Sequence, residues 1–492
     1  MTPFAPWLPD IVQFNPSVSS DARNVIPPSA TGYKPWPSFS NVASALTARA
    51  RGAISVRGLT GSIFNFAGDA TKLYKAASDG LSYSDVSRVS GGAYTTATDG
   101  WWYFTLFGDY VIACNQADAT QVFQLSASTN FAALSGSPPQ AAFTGTIRDF
   151  AILARVNTNY NRIQWCGIND ITAWTPSATT MADYQDFPDG GIIMGFVGGE
   201  YGIVLQERAI QRMAFEGPPT IFRFDKISNT LGCQVPGSIA SYENLVFFKA
   251  HDGMYMIRGG SELVPIGTEK IDRWLNARIN ASYYDRCSAA IDPARKLYLF
   301  GYPSSTSSDG TPNEILAYHW PSGEWTYAQI NHEIIYTGAT QSSITIDGLA
   351  AIAATIDSLV YPFDSLYYAG SGQLLISGFD TSHRQGFFTG TALEAYVETG
   401  DAQFTPGRKS MLRAARPLVE GTNVTPMLTV KYRDSTAEAH TSGSAVTPTS
   451  NGVCNFRVNA RYHRAGMTIP AASVWDRALG LDDIKAEAMG AR

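Results

Sequence analysis

Six histidines and five cysteines are scattered along the 492 residues, and their spacing decides what chemistry they can do. His251, His319, His332, His383, His440 and His463 form no HxH or HExxH pair, and no CxxC occurs, so no motif brings metal ligands onto one turn or strand. No Gly-Lys-Ser/Thr follows a glycine-rich turn, and no G-x-S-x-G elbow would raise a serine nucleophile. Gly195-Phe-Val-Gly-Gly-Glu is rich in glycine but lies between strand-like runs, which makes it a turn. The paired acids Asp186/Asp189 and Asp482/Asp483 could serve proton transfer, but such pairs in polar stretches read first as loop and tail acids. Ser78-Asp-Gly-Leu-Ser-Tyr partly matches the Asp-box turn of sialidases, a turn that steadies a sheet and does no catalysis. These patterns predict a protein without catalytic, cofactor-binding or metal-binding residues.

Binding remains. Arg457, Arg461, His463 and Arg464 surround Tyr462, and a strand with interleaved cations and an aromatic ring could meet phosphate or an acidic neighbour. Residues 401–492 hold 12 Lys/Arg and 8 Asp/Glu, a charge of +4, whereas the remainder carries −10 within a total of −6. A basic end on an acidic body suits docking onto an acidic partner better than general attraction to nucleic acid. The cysteines (Cys114, Cys166, Cys233, Cys287, Cys454) are too dispersed for a disulfide framework and fit reduced core positions. No positive charge precedes Arg23 and no apolar run approaches membrane-spanning length, so neither a signal peptide nor a membrane segment is expected.

The elements that must carry these residues are mostly strands. Hydrophobic residues make up 45% and charged residues 16%, with 24 Tyr, 25 Phe, 44 Gly and 26 Pro, a mixture that favours short strands and tight turns. Asp109-Tyr-Val-Ile-Ala-Cys, Asp149-Phe-Ala-Ile-Leu-Ala, Glu200-Tyr-Gly-Ile-Val-Leu, Glu243-Asn-Leu-Val-Phe-Phe and Arg295-Lys-Leu-Tyr-Leu-Phe share one form. Each is a charged residue followed by a buried-strand run, at spacings of 40, 51, 43 and 52 residues. Asp252-Gly253 marks a hairpin between two apolar strands. Repeats of this length built from short strands predict an irregular β-propeller of about six to seven blades over residues 61–390. One helix is expected, Thr268–Ile279, capped by Thr268 and burying Ile271, Trp274, Leu275 and Ile279.

Residues 1–60 read as an extended arm. Eight of the 26 prolines fall in the first 37 residues, which argues against a helix or a central strand there. Its aromatics, among them Trp7, Phe14 and Trp36, must pack on the chain's own body or on a neighbouring subunit. Residues 391–492 form a further β unit, with period-two alternation in 427–433 and 454–462. The terminal segments together are expected to build a β platform beside the propeller.

The opening Phe4-Ala-Pro-Trp-Leu-Pro-Asp, then Asn15-Pro, Ala22-Arg-Asn-Val-Ile-Pro and Gly32-Tyr-Lys-Pro-Trp-Pro, resembles the N-terminus of tail nozzle proteins of short-tailed bacteriophages, also called packaged-DNA stabilisation proteins. The close, Ala460-Arg-Tyr-His-Arg followed by Met467-Thr-Ile-Pro-Ala, is similar to the same group. The resemblance implies a non-enzymatic virion protein, assembled in the host cytoplasm and located in the phage tail. Six copies would form a DNA-exit tube below the portal and its adaptor, contacting tail fibres or a tail needle, with packaged DNA in the lumen. Trp7, Phe14, Trp36, Arg457, Arg461 and Arg464 are the expected interface residues. The alternative readings are a fibre-attachment or host-binding propeller of the virion and a carbohydrate-active propeller enzyme.

Overall fold

The computed structural model describes residues 2–11, 17–27, 32–340, 355–358 and 372–489. Among them, four-stranded antiparallel meanders recur seven times. The first runs Ala53–Arg57, Ile63–Gly68, Leu73–Ala76 and Tyr83–Asp85, and the second Tyr103–Phe107, Tyr110–Cys114, Gln121–Gln124 and Ala132–Ala133. The third is Ala141–Ile147, Phe150–Val156, Asn159–Trp165 and Asp183–Asp186, and the fourth Ile193–Val197, Gly202–Gln206, Ile210–Gly217 and Ile221–Ser228. The fifth contains Val235–Tyr242, Leu245–Lys249, Met254–Arg258 and Glu262–Pro265, and the sixth Ser288–Asp292, Leu297–Tyr302, Glu314–His319 and Glu324–Gln329. The seventh joins Ile334–Ala339, Leu374–Phe379 and Arg384–Ala392 to Pro37–Ala45, a strand from the start of the chain.

First strands of successive meanders lie side by side, and Ile334–Ala339 returns to Ala53–Arg57, so the round is closed and propeller-like. Hydroxyls staple neighbours. Thr337 Oγ1 donates to the Ile291 carbonyl and accepts from the Ile291 amide (2.8 and 2.9 Å), and the Ala339 amide donates to Ser55 Oγ (2.9 Å).

The second strands of meanders two to six are buried on both faces, which explains the near-continuous apolar runs of the sequence repeat. Side chains alternate across a strand, so Val111 and Ala113 pack toward the first meander while Ile112 packs toward the third. In the same way Val204 faces the third meander and Ile203 and Leu205 face the fifth. The repeated motif is the second strand of meanders two to six. All five cysteines are buried and unpaired.

Both chain ends build a further unit. The sheet of the sixth meander continues through Ser19–Arg23 (parallel to Glu324–Gln329, Arg23 opposite Tyr327), Ala395–Thr399, Tyr462–Ile469, Met427–Arg433 and Thr441–Ser442. A second sheet orders Thr2–Pro3, Val474–Ala488, Ser410–Thr422 and Cys454–Ala460. Leu428, Met467, Ala415, Cys454 and Leu481 share one core between the two sheets.

Three expectations are corrected. Ser19–Arg23 is an interior strand, permitted because no proline falls between Pro16 and Pro27. The first 60 residues are not one arm, since Pro37–Ala45 and Ala53–Arg57 belong to the seventh and first meanders. The helix spans only Asp272–Arg278, and its N-cap position is Ile271, which has no capping side chain of its own.

Candidate functional site

The two-sheet unit at the chain ends gathers most of the residues singled out in the sequence. Trp7 is 1% exposed. Its ring meets Trp274 edge-on at 4.8 Å and Tyr327 at 5.2 Å, and the Arg278 guanidinium lies over Trp274 and Tyr327 at 4.9 and 5.3 Å. Arg278 Nε in turn donates to Glu314 at 2.6 Å. Three residues beyond Trp7, the Asp10 carboxylate accepts the amides of Arg273 (2.7 Å) and Trp274 (2.8 Å). The helix is therefore capped from more than 260 residues away, where Thr268 was expected to do it. Trp36 is 3% exposed and packs with Leu299, Ile335 and Phe388 between the sixth and seventh meanders. Phe14 lies outside the described residues.

The basic strand finds its acidic neighbour within the chain. Arg464 Nε donates to Asp401 at 2.6 Å, and its Nη1 lies 3.6 Å from Glu398. Asp401 also takes Arg433 and the His440 Nε2 (2.8 Å), and its side chain is fully buried. Glu398, 4% exposed, takes Lys431, Tyr396 and Ser20 Oγ. Burial alone would raise the Asp401 carboxyl, but hydrogen bonds from Arg464, His440 and Arg433 bring it below the usual carboxylate range. Glu398 is lowered in the same way by Lys431 and Tyr396 against its burial. This two-carboxylate, three-cation knot ties Ala395–Thr399 to Met427–Arg433 and Tyr462–Ile469.

Arg461 donates its backbone amide to Asp434 (3.1 Å), which also holds Lys409 (2.6 Å). Arg457 is exposed on Cys454–Ala460, where Asn455 and Asn459 are exposed too. Among the described residues that strand pairs only with Ser410–Thr422, leaving one edge of its sheet open. Of the six cationic and aromatic candidates, the structure therefore brings Arg464 into a knot, places Trp7 and Trp36 in the interior, and leaves Arg457 at the surface.

Nothing in the sequence pointed to Asp10, Glu398 or Asp401, whose partners are distant in the chain. Of the acids that did draw attention, two are held in ion pairs and one fixes a turn. Asp186 holds Arg162 through two hydrogen bonds (2.7 and 2.8 Å), and Asp483 lies 3.0 Å from Arg416. Asp79 accepts the Leu81 amide at 2.9 Å, fixing the turn between the third and fourth strands of the first meander. Among the described residues no three His, Cys, Asp or Glu side chains come together to hold a metal ion, and no helix is long and apolar enough to cross a membrane.

No protein-family model and no curated protein matches the chain. Similar solved structures include the extracellular domain of the putative one component system BT4673 from B. thetaiotaomicron (TM-score 0.43, 10% identity), covering 86% of this chain and 46% of that one. This chain thus spans about half the length of that relative. YCF48 bound to D1 peptide gives a TM-score of 0.35 at 9% identity, covering 62% of this chain and 86% of that one. A chain of the Mitotic Checkpoint Complex gives 0.37 at 10% identity, covering 73% and 96%.

Proposed function

We propose that the chain is a structural subunit of a bacteriophage tail, the nozzle, six copies of which form a tube below the portal and its adaptor. In this reading the protein is not an enzyme. It retains packaged DNA in the virion and passes it at ejection, with tail fibres or a tail needle as further neighbours. The seven meanders are the blades of one β-propeller, and the two-sheet unit is the platform from which the ring is built.

The observation that carries the reading is that both chain ends are spent on one extra β unit fused to the sixth meander. A ring with head-to-tail contacts needs two different surfaces on each subunit. The open edge at Cys454–Ala460 and the long central pair Ser410–Thr422 and Val474–Ala488 are candidates, the latter with Val474 70% exposed. Trp7 and Trp36 serve the ring indirectly, by holding the arm on its own subunit, while Arg457 faces a neighbour. The terminal segments quoted above supply the family resemblance on which the nozzle assignment rests.

The test is genetic and physical. Particles assembled without this chain should fill their heads and then lose the DNA. Particles that lack it and still retain DNA and infect would overturn the assignment.

A further inference from the structure

In an antiparallel meander the start of the first strand and the turn between the second and third lie at the same end. At that end of the round lies a cavity of about 480 Å³, within the ~300–1,000 Å³ typical of ligand pockets. It is walled by loops of meanders two to five and by the segment entering the sixth, with Trp101, Gln116, Arg155, Asn157, Gln234 and Tyr284 among its residues.

Two of these residues are unusual in the same way. Arg155 sits at a break in register between Ala154 and Val156, with φ +57°, and Gln116 has φ +64°. Neither is a residue type that enters the left-handed region readily, and a bulge of this kind re-aims its side chain. Arg155 Nε and Gln116 Nε2 are both buried donors with no hydrogen-bond partner among the described residues.

Three further arginines lie beside residues of the cavity wall. Arg49 lies 6.0 Å from the centre of the Trp101 ring, and Arg51 Nη1 donates to the carbonyls of Thr96 (3.3 Å) and Ala97. Arg286 Nε is 3.4 Å from Asp285, and Trp101 Nε1 donates to the Asp285 carbonyl. The Nε groups of Arg49 and Arg51 are likewise buried without a hydrogen-bond acceptor among the described residues, while that of Arg286 has the ion-pair contact with Asp285. Burial, and then the charges of Arg286 and Arg51, pull the Arg49 pKa down to about 10. The nearby acids are Asp69, Asp99, Asp285 and Glu333; Asp69 is already engaged by Tyr74 (2.7 Å) and Thr47 (3.0 Å), and Glu333 by the Ala50 amide (2.9 Å) and by His383. Four arginines thus stand beside four carboxylates, of which Asp69 and Glu333 are already engaged, and the Arg155 and Gln116 donors in the cavity wall are left without acceptors among the described residues.

We propose that this mouth binds a small oxyanion-bearing ligand, a carboxylate or phosphate carried on a polar ring of about monosaccharide size. Arg155 and Gln116 would hold the oxyanion, Arg49, Arg51 and Arg286 would supply attracting charge, and Trp101 and Tyr284 would pack against the ring. The site is independent of the tail assignment, since it lies in the meander round and uses none of the terminal unit.

The test is calorimetric titration of the full chain with glucuronate, glucose 6-phosphate, inorganic phosphate and glucose. Saturable one-to-one binding of glucuronate or glucose 6-phosphate is expected, with glucose at least about tenfold weaker, the loss expected for an absent charged hydrogen bond. The tighter of the two identifies carboxylate or phosphate as the recognised group. Arg155→Gln should weaken binding about tenfold or more, and Asp99→Asn, at an exposed position, should tighten it a few-fold with an unchanged melting temperature. The Asn variant keeps the test decisive if the Gln variant misfolds. Absence of saturable binding up to about 10 mM, glucose binding as tightly as the anions, or both variants leaving affinity unchanged would overturn the proposal. Inorganic phosphate binding as tightly as both sugars would overturn its sugar-ring part.

Discussion

Replacing Asp401 by asparagine keeps the shape of the side chain and removes only its charge. In the folded chain that charge is fully buried and answers Arg433, Arg464 and His440, whose side chains are 14%, 11% and 17% exposed. Breaking one partner out of a buried ionic group costs about 3–5 kcal/mol, because the remaining charges are desolvated without compensation. Arg464 would keep Glu398 at 3.6 Å, so the lower end, about 3 kcal/mol, is expected. The loss should also depend on pH. The Asp401 carboxyl is held below its ordinary value, so its stabilisation is present above the unfolded pKa near 3.9 and disappears as pH falls through the folded value. Below about pH 4 the variant should therefore lose less stability than the parent. Urea unfolding at several pH values measures this, and hydrogen exchange locates it. Faster exchange is expected in Ala395–Thr399, Met427–Arg433 and Tyr462–Ile469, with the first five meanders unchanged. A variant within about 0.5 kcal/mol of the parent, with unaltered exchange in those strands, would refute the reasoning.

Three further outcomes follow from single contacts. Asp10→Ala should cost about 1 kcal/mol and speed amide exchange in Asp272–Arg278, whereas Thr268→Ala should leave both unchanged; equal effects would reject the distant cap. Burial pushes the His332 pKa down to about 4, so the unfolded chain binds more protons between about pH 6.5 and 4, and stability falls across that window by about 3 kcal/mol. A His332→Gln variant should show a shallower fall in its unfolding free energy, and parallel curves would contradict this. Gly136→Ala should destabilise by about 2 kcal/mol or more in thermal melts, because a Cβ there would sit 1.6 Å from the Thr172 carbonyl oxygen at a φ of +83°.

The parts of the fold visible in the sequence are those set by local rules. The runs after Asp109, Asp149, Glu200, Glu243 and Arg295 lead into second strands buried on both faces, so they are nearly continuously apolar and stand out as a repeat. Asp252-Gly253 turns Leu245–Lys249 into Met254–Arg258, with Phe247 opposite Met256, as a two-strand signal requires. The first and seventh meanders were harder to read, because the last strand of the seventh is Pro37–Ala45, more than 330 residues from its partner. Ser19–Arg23 was hidden for a similar reason. A short polar strand becomes interior only when Ala395–Thr399 and Glu324–Gln329 close on either side of it. The helix shows where local inference stops. Its apolar spacing was legible, but its cap is a carboxylate delivered by the arm. The site followed the same pattern, since cations near Tyr462 could be seen, whereas Asp401 and Glu398 become partners only through tertiary pairing.

The central proposal is that this chain forms a six-membered ring at the end of a phage tail. Electron microscopy of the native particle, with copy number from mass, tests it most directly. The account predicts six copies around the tail axis, about six times 53.2 kDa, joined through the two-sheet unit and with Arg457 at a subunit boundary. A free 53.2 kDa species absent from every particle, or a ring joined only through the meanders, would contradict it.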